Sequence, residues 1–189
     1  LIDELWTDRK PMPKEPIFIH DIKYAGKSAS EKLDMVRDKM NEREADYYLI
    51  GSLDDIAWLY NIRGNDIPYN PVTISYALIS QERAWLFIDS SKVPEDVLEE
   101  LALHNIQILE YESIDEKLTQ LISSEMSVYV DPNRLNYGLY GILTEIGCNI
   151  IERRDITTDL KAIKNDVEIR NIKETLIRDG VAMVKFLHW

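Results

Sequence analysis

Apolar residues recur along the chain at two periods, and the alternation between them predicts an α/β fold. Pro11, Pro13 and Pro16 mark an extended opening. Ser28 and Glu31 make a capping-box pattern for a helix with Leu33, Val36 and Met40 on one face. Tyr47-Tyr48-Leu49-Ile50 reads as the first core strand. Ser52 is then placed to cap a short helix with Asp54 and Asp55 in its first turn, where unpaired amides and the helix dipole favour carboxylates. Ile56, Leu59 and Tyr60 fall on one side of it. Gly64 permits the positive φ that would stop this helix, and Pro68 and Pro71 hold the next segment extended, leaving the cation Arg63 at a loop tip.

Two apolar runs, 72–79 and 84–88, flank the polar Ser80-Gln81-Glu82-Arg83 and predict an antiparallel hairpin. Pro94 opens a helix expected to bury Val97, Leu98 and Leu101, and Ile106–Leu109 follows as a strand. Ser113 and Glu116 form a second capping-box pattern, with Leu118, Leu121 and Ile122 turned inward. A strand at 128–130, a helix near 137–145 and a strand at 149–151 complete the alternation. Helical crossovers join parallel strands while the hairpin supplies antiparallel ones, so the expected architecture is a mixed β-sheet flanked by helices.

Composition narrows the function classes. The 189 residues are 45% hydrophobic, enough for one well-cored domain with flanking pieces. A formal charge of -12 argues against a nucleic-acid surface and against an anionic membrane face, because both require clustered Lys and Arg. Arg153-Arg154 is too short a basic cluster to reverse that, and the charged stretch 34–46 mixes signs at helical spacing, as a solvated face does. No apolar run is long enough for a transmembrane helix, and no secretory leader pattern is present. Cys148 is the single cysteine, which rules out an internal disulfide, fits a reducing cytoplasm, and reads as a small core residue. The absence of an opening Met and the apolar run from Val181 to Trp189 are expected of a piece cut from a longer protein.

The string from Leu53 to Pro71, containing Trp58-Leu59-Tyr60-Asn61-Ile62-Arg63-Gly64, closely resembles the second domain of the long, three-domain form of Xaa-Pro aminopeptidase, in the creatinase and prolidase group. Upstream, Leu5-Trp6, Asp8 to Pro13 and Tyr24-Ala25-Gly26-Lys27-Ser28 resemble the segment joining that family's first and second domains. Downstream, Leu160 to Asn165, Glu168-Ile169 and Asp179-Gly180-Val181-Ala182 resemble the approach to its catalytic domain. The resemblance implies the creatinase N-terminal fold with its ribonuclease-H-like sheet. It divides the chain into a linker at 1–16, an α/β domain at 17–153, a linker at 154–165 and the first helix of a pita-bread catalytic domain at 166–189. In that helix Asn165 and Glu168 supply a capping pattern, and Ile169, Ile172 and Leu176 a stripe that either packs on the sheet domain or drives dimer formation.

The resemblance implies a parent enzyme that cleaves the bond between an N-terminal residue and a following proline, using two divalent metal ions, manganese in the usual case. The family's metal ligands belong to the later domain. Here His20, His104 and His188 lie far apart, no HExxH or Cys-His pattern occurs, and Asp54 and Asp55 point in different directions from a helix, so capping suits them better than a metal pair. Cys148 has no histidine near it in sequence, and neither a G-x-S-x-G elbow nor a phosphate-binding glycine loop occurs. The chain alone is therefore expected to be inactive. By resemblance, Arg63, Asn61, Tyr60 and Trp58 would line a substrate entrance admitting peptides with proline second, and the partners would be the catalytic domain and a second copy in a homodimer. The residues leave two alternatives open: Arg63 closing its loop through backbone carbonyls, and Trp58 filling the core. The rival class is a stand-alone binding or scaffold module of the same fold.

Overall fold

A single strand runs against all its neighbours in the six-stranded sheet at the centre of this computed structural model, which describes residues 5–8 and 10–189. The strand order is β6-β5-β4-β2-β7-β8, formed by β2 (Tyr47–Ile50), β4 (Tyr76–Ser80), β5 (Ala84–Phe87), β6 (Ile106–Leu109), β7 (Ser127–Val130) and β8 (Asn149–Glu152). Only β4 is antiparallel to its partners; β5–β6, β2–β7 and β7–β8 are parallel. The expected hairpin is the β4–β5 pair, with Leu78 opposite Trp85. Two short strands, β1 (Phe18–Ile19) and β3 (Ile62–Arg63), form a separate antiparallel ribbon.

The strands are continuous apolar runs because both faces are covered. Side chains alternate between them. Tyr48, Ile50, Ala77, Ile79, Ala84, Leu86 and Tyr129 face α2 (Ala29–Asn41), α3 (Leu53–Leu59), α4 (Glu95–Leu103) and α7 (Ile156–Ala162). Leu49, Leu78, Trp85, Phe87, Val128 and Val130 face α5 (Ile114–Leu121) and α6 (Tyr137–Ile146). A single turn, α1 (Ile22–Ala25), precedes α2, and a 23-residue helix, α8 (Asp166–His188), closes the chain. Cys148 is buried in the second core, as a small core residue should be.

Several local expectations change. Strand β4 begins at Tyr76 rather than residue 72, because the Asp66 carboxylate takes the Ile74 amide at 2.7 Å and the Thr73 hydroxyl at 2.9 Å. Gly64 has no positive φ; Asn61 at φ 53° takes the left-handed turn after α3. Gly64 is instead a point of close approach, where a Cβ would lie 2.9 Å from the Thr73 Cβ. Ser52 does not cap α3, since its hydroxyl faces Asp54 at 3.0 Å and accepts from Arg134 at 2.6 Å. Ser113 makes no capping box either; its hydroxyl donates to the Glu110 carbonyl. Leu98, expected inside, is 49% exposed, because α4 turns only Val97 and Leu101 to the sheet. The stretch 154–165 contains α7, whose Ile156 and Thr157 are buried. Residues 1–4 and Arg9 of the opening segment lie outside the described residues.

Candidate functional site

The carbonyls at the end of α3 determine where the cations of this region go. Arg63 sits in strand β3, opposite Phe18, rather than at a loop tip. Its guanidinium donates to the Ala57 carbonyl, which the end of α3 leaves unpaired, at 2.7 Å and to the Ile62 carbonyl of β3 at 2.8 Å, so it closes the turn through backbone groups. The next orphan carbonyl, that of Trp58, accepts from the buried Lys32 ammonium at 2.8 Å. The same ammonium donates to Asn61 Oδ1 at 2.6 Å and lies 4.6 Å from the centre of the Trp58 ring. Asn61 passes the connection on, its amide donating to the Lys27 carbonyl at 2.9 Å. The left-handed conformation that aims this side chain is one Asn tolerates better than most residues.

The four predicted entrance residues are thus adjacent but divided in role. Trp58, 9% exposed, packs with the first core and also presents an edge to a cleft of about 460 Å³. That cleft lies between α1, α3 and α8 and is further lined by His20, Tyr24, Glu168, Ile172 and Leu176. Tyr60 is 1% exposed and its hydroxyl donates to the Trp85 carbonyl, so it belongs to the core. With Asn61 it touches a separate recess of about 250 Å³ that also includes His20 and His104. Arg63 is half-buried, its guanidinium on the Ala57 carbonyl.

Burial dominates the electrostatics. The Lys32 pKa is lowered to about 8, chiefly by burial, against the opposing pull of Glu168. Burial, with the nearby charges of Arg63 and Lys32, depresses His20 to about 4, so its ring is neutral at physiological pH. Its stacking on Tyr24, with centroids 5.8 Å apart, fixes one wall of the cleft. The pattern of the chain does not single out Lys32, and it marks His20 only as one of three scattered histidines. A signal existed for Lys32: it lies three residues after Ala29 and four before Val36, on the buried stripe of α2.

The acidic pair is structural. Asp55 is fully buried and receives Thr158 Oγ1 at 2.9 Å and the Lys161 ammonium at 2.9 Å, while Asp54 also pairs with Lys161, tying α3 to α7. Arg134 stands 3.6 Å from Asp55. Carboxylates held by two cations and a hydroxyl do not suit a metal centre, and among the described residues no group of three or more His, Cys, Asp or Glu side chains is placed to hold a metal ion. His104 takes part in a local chain, 2.7 Å from the Ser30 hydroxyl and 3.2 Å from Glu100.

The sheet order, the ribbon carrying Arg63 and the helices on both faces define the class: residues 8–168 match the Creatinase/Prolidase N-terminal domain, and the chain belongs to that family. More particularly, it is 37% identical over 191 residues to Xaa-Pro aminopeptidase 1 of Dictyostelium discoideum, covering 100% of this chain and 30% of that protein. It is 36% identical over 198 residues to the probable Xaa-Pro aminopeptidase P of Sordaria macrospora, covering 100% and 32%. Among solved structures, the X-prolyl aminopeptidase of Caenorhabditis elegans, described as a cytosolic enzyme with a di-nuclear active site, matches with a TM-score of 0.93 at 31% identity, over 100% of this chain and 31% of that one. The chain spans about a third of the length of these relatives.

Proposed function

We propose that this chain is the non-catalytic middle domain of a metal-dependent Xaa-Pro aminopeptidase, a hydrolase that removes the N-terminal residue preceding proline. The observation that carries the reading is the coverage: relatives bearing that name align over all of this chain and extend well beyond it. In this reading two divalent metal ions, manganese by preference, are held by the remainder of the enzyme, where they supply an activated hydroxide and polarise the scissile carbonyl. The substrates are peptides with proline at the second position, the setting is the cytoplasm, and the domain contacts its own catalytic domain and a second copy in a homodimer.

Trp58 would present its edge to the substrate entrance, with Arg63, Asn61 and Tyr60 holding it from behind. A rigid entrance would admit unfolded peptide ends and exclude folded proteins. The test is hydrolysis of an Xaa-Pro peptide with added Mn²⁺ by this 189-residue chain and by the protein extended through the downstream reading frame. Activity in the extended protein alone is the expected result. Activity in the short chain would overturn the non-catalytic assignment, and inactivity in both would favour a stand-alone scaffold. In the extended enzyme Arg63→Ala should raise KM while leaving kcat nearly unchanged; an unchanged KM would remove Arg63 from the entrance.

A further inference from the structure

Helix α1 is a single turn in which only Ala25 is buried, while Ile22 and Tyr24 stand 54% and 48% exposed. A turn of this length does not hold itself in water, because fixing its backbone costs more than its few hydrogen bonds return. On its N-terminal side the His20 amide donates to the Asn61 carbonyl at 2.7 Å. On its C-terminal side lie carbonyls that a helix end leaves unpaired. That of Ile22 accepts from the Gly26 amide at 2.7 Å, and the next three are met by side chains of α8. The Asn171 side-chain amide donates to the Lys23 carbonyl at 3.1 Å and reaches that of Tyr24 at 3.4 Å, and the Asn165 side-chain amide donates to the Ala25 carbonyl at 2.8 Å.

The seat is close as well as bonded. Gly26 ends α1 at φ 71°, and a Cβ there would lie 2.4 Å from Asn165 Oδ1 and 2.8 Å from the Val167 Cβ. The first turn of α8 is itself fixed, since Asn165 Oδ1 accepts from the Glu168 amide at 2.9 Å while the Asn165 backbone amide donates to the Glu168 carboxylate at 2.9 Å. The same two elements wall the cleft at Trp58. Tyr24, stacked on His20, stands on the α1 side, and Asn171, Ile172 and Leu176 stand on the α8 side. Asn171 thus lines the cleft and ties its two walls together.

We propose that α1 and α8 form one clamp: the Asn165 and Asn171 amides latch α1 to α8, so that the cleft at Trp58 keeps its shape only while α8 is seated, and a displacement of α8 is passed to the wall made by Tyr24 and His20. Asn165 and Asn171 are positioning residues, acting on the cleft through the backbone of α1. The coupling is reciprocal, since a group bound between the walls holds α8 in its seat as firmly as the seated α8 favours binding. The inference concerns contacts within this chain and stands whether or not the peptidase reading does.

The test is amide hydrogen exchange, read by NMR on the 189-residue chain, for the parent and for the double variant Asn165→Ser with Asn171→Ala. Ser caps a helix as well as Asn does and keeps the capping box with Glu168, and Ala favours helix, so α8 stays formed while both donors to α1 are lost and no charge is introduced. The amides of Tyr24, Ala25 and Gly26, which donate to the Asp21 and Ile22 carbonyls, should exchange about tenfold faster or more, with Leu49 and Leu78 in the sheet and Ile169 in α8 unchanged. If the double variant loosens the sheet as well, Asn171→Ala alone decides, with a smaller acceleration confined to α1 expected. Unchanged exchange at Tyr24, Ala25 and Gly26 in the variant that keeps the sheet intact would show that α1 stands without the latch, and the proposal fails.

Discussion

The two faces of the sheet are built on different principles. The face covered by α5 and α6 is assembled from Leu49, Leu78, Trp85, Phe87, Val128 and Val130 against Ile114, Leu118, Leu139 and Leu143, and among the described residues neither helix carries a buried charged side chain. The face covered by α2, α3, α4 and α7 has the larger apolar cluster, yet ionisable side chains are buried in its elements too, Lys32 in α2, Asp55 in α3 and Asp155 at the start of α7, and Lys92 and Asp131 are buried in the segments that follow β5 and β7. Each of these has a partner fixed by geometry: Lys92 pairs with the fully buried Asp66 carboxylate and donates to Thr73 at 2.6 Å, and the Tyr48 hydroxyl donates to Asp155 at 2.8 Å. An apolar face tolerates small shifts because dispersion and burial are non-directional, whereas a face wired with charges is held to one arrangement. The candidate entrance residues and the seat of α8 both lie on the wired side, where precise placement is available.

The largest expected effect breaks one pair on that side. Asp66→Asn leaves Lys92 charged and buried, and should cost about 3–5 kcal/mol in urea unfolding, whereas the double change Asp66→Leu with Lys92→Met should recover most of that loss. A small effect from the single variant would mean that the wired face is held by area alone, like its opposite.

Asp155 gives the next test. Burial, reinforced by the nearby Asp55 and Asp131 carboxylates and opposed by the Tyr48 hydrogen bond, pushes its pKa up from 3.8 to about 7. Between those values the folded state keeps a proton that the unfolded state has released, so Asp155 makes stability fall as pH rises through that window. Asp155→Asn should flatten this slope and raise stability above pH 7 by about 1–3 kcal/mol, read by thermal melts across pH. A slope unchanged by the substitution would show that Asp155 is ionised throughout.

The smallest effect belongs to the apolar face. Ile122→Val should cost about 0.5–1.5 kcal/mol, through one lost methylene and the space it leaves, with the same value at pH 5 and pH 8. A pH-dependent cost would couple the two faces and spoil the contrast.

The candidate site was less legible in the chain than the fold was. Asn61, Trp58, Tyr60 and Arg63 drew notice as a group through a family resemblance, and they are neighbours, but which of them faces solvent was not readable from their order. Tyr60 turns inward, where its hydroxyl donates to the carbonyl of Trp85, twenty-five residues away. Arg63 folds back because α3 ends with its Ala57 carbonyl unpaired. Lys32, which links Trp58 and Asn61, lies on the buried stripe of α2, but its partners are decided only where the fold brings α3 over it.

What the sequence determined by itself were the features carried by local chemistry. Continuous apolar runs marked the strands of a sheet covered on both faces, and the Ser28–Glu31 and Asn165–Glu168 pairs marked the starts of α2 and α8, where both capping boxes form. The tertiary structure alone decided that Ser52 binds Arg134 instead of capping α3, that Asn61 rather than Gly64 turns the chain, and that 154–165 contributes a buried helical turn. The physical reason is the range of the interaction. Periodicity and capping act within one or two turns, whereas the choice of partner for a buried hydroxyl, carboxylate or ammonium is made only when distant segments close around it and exclude water.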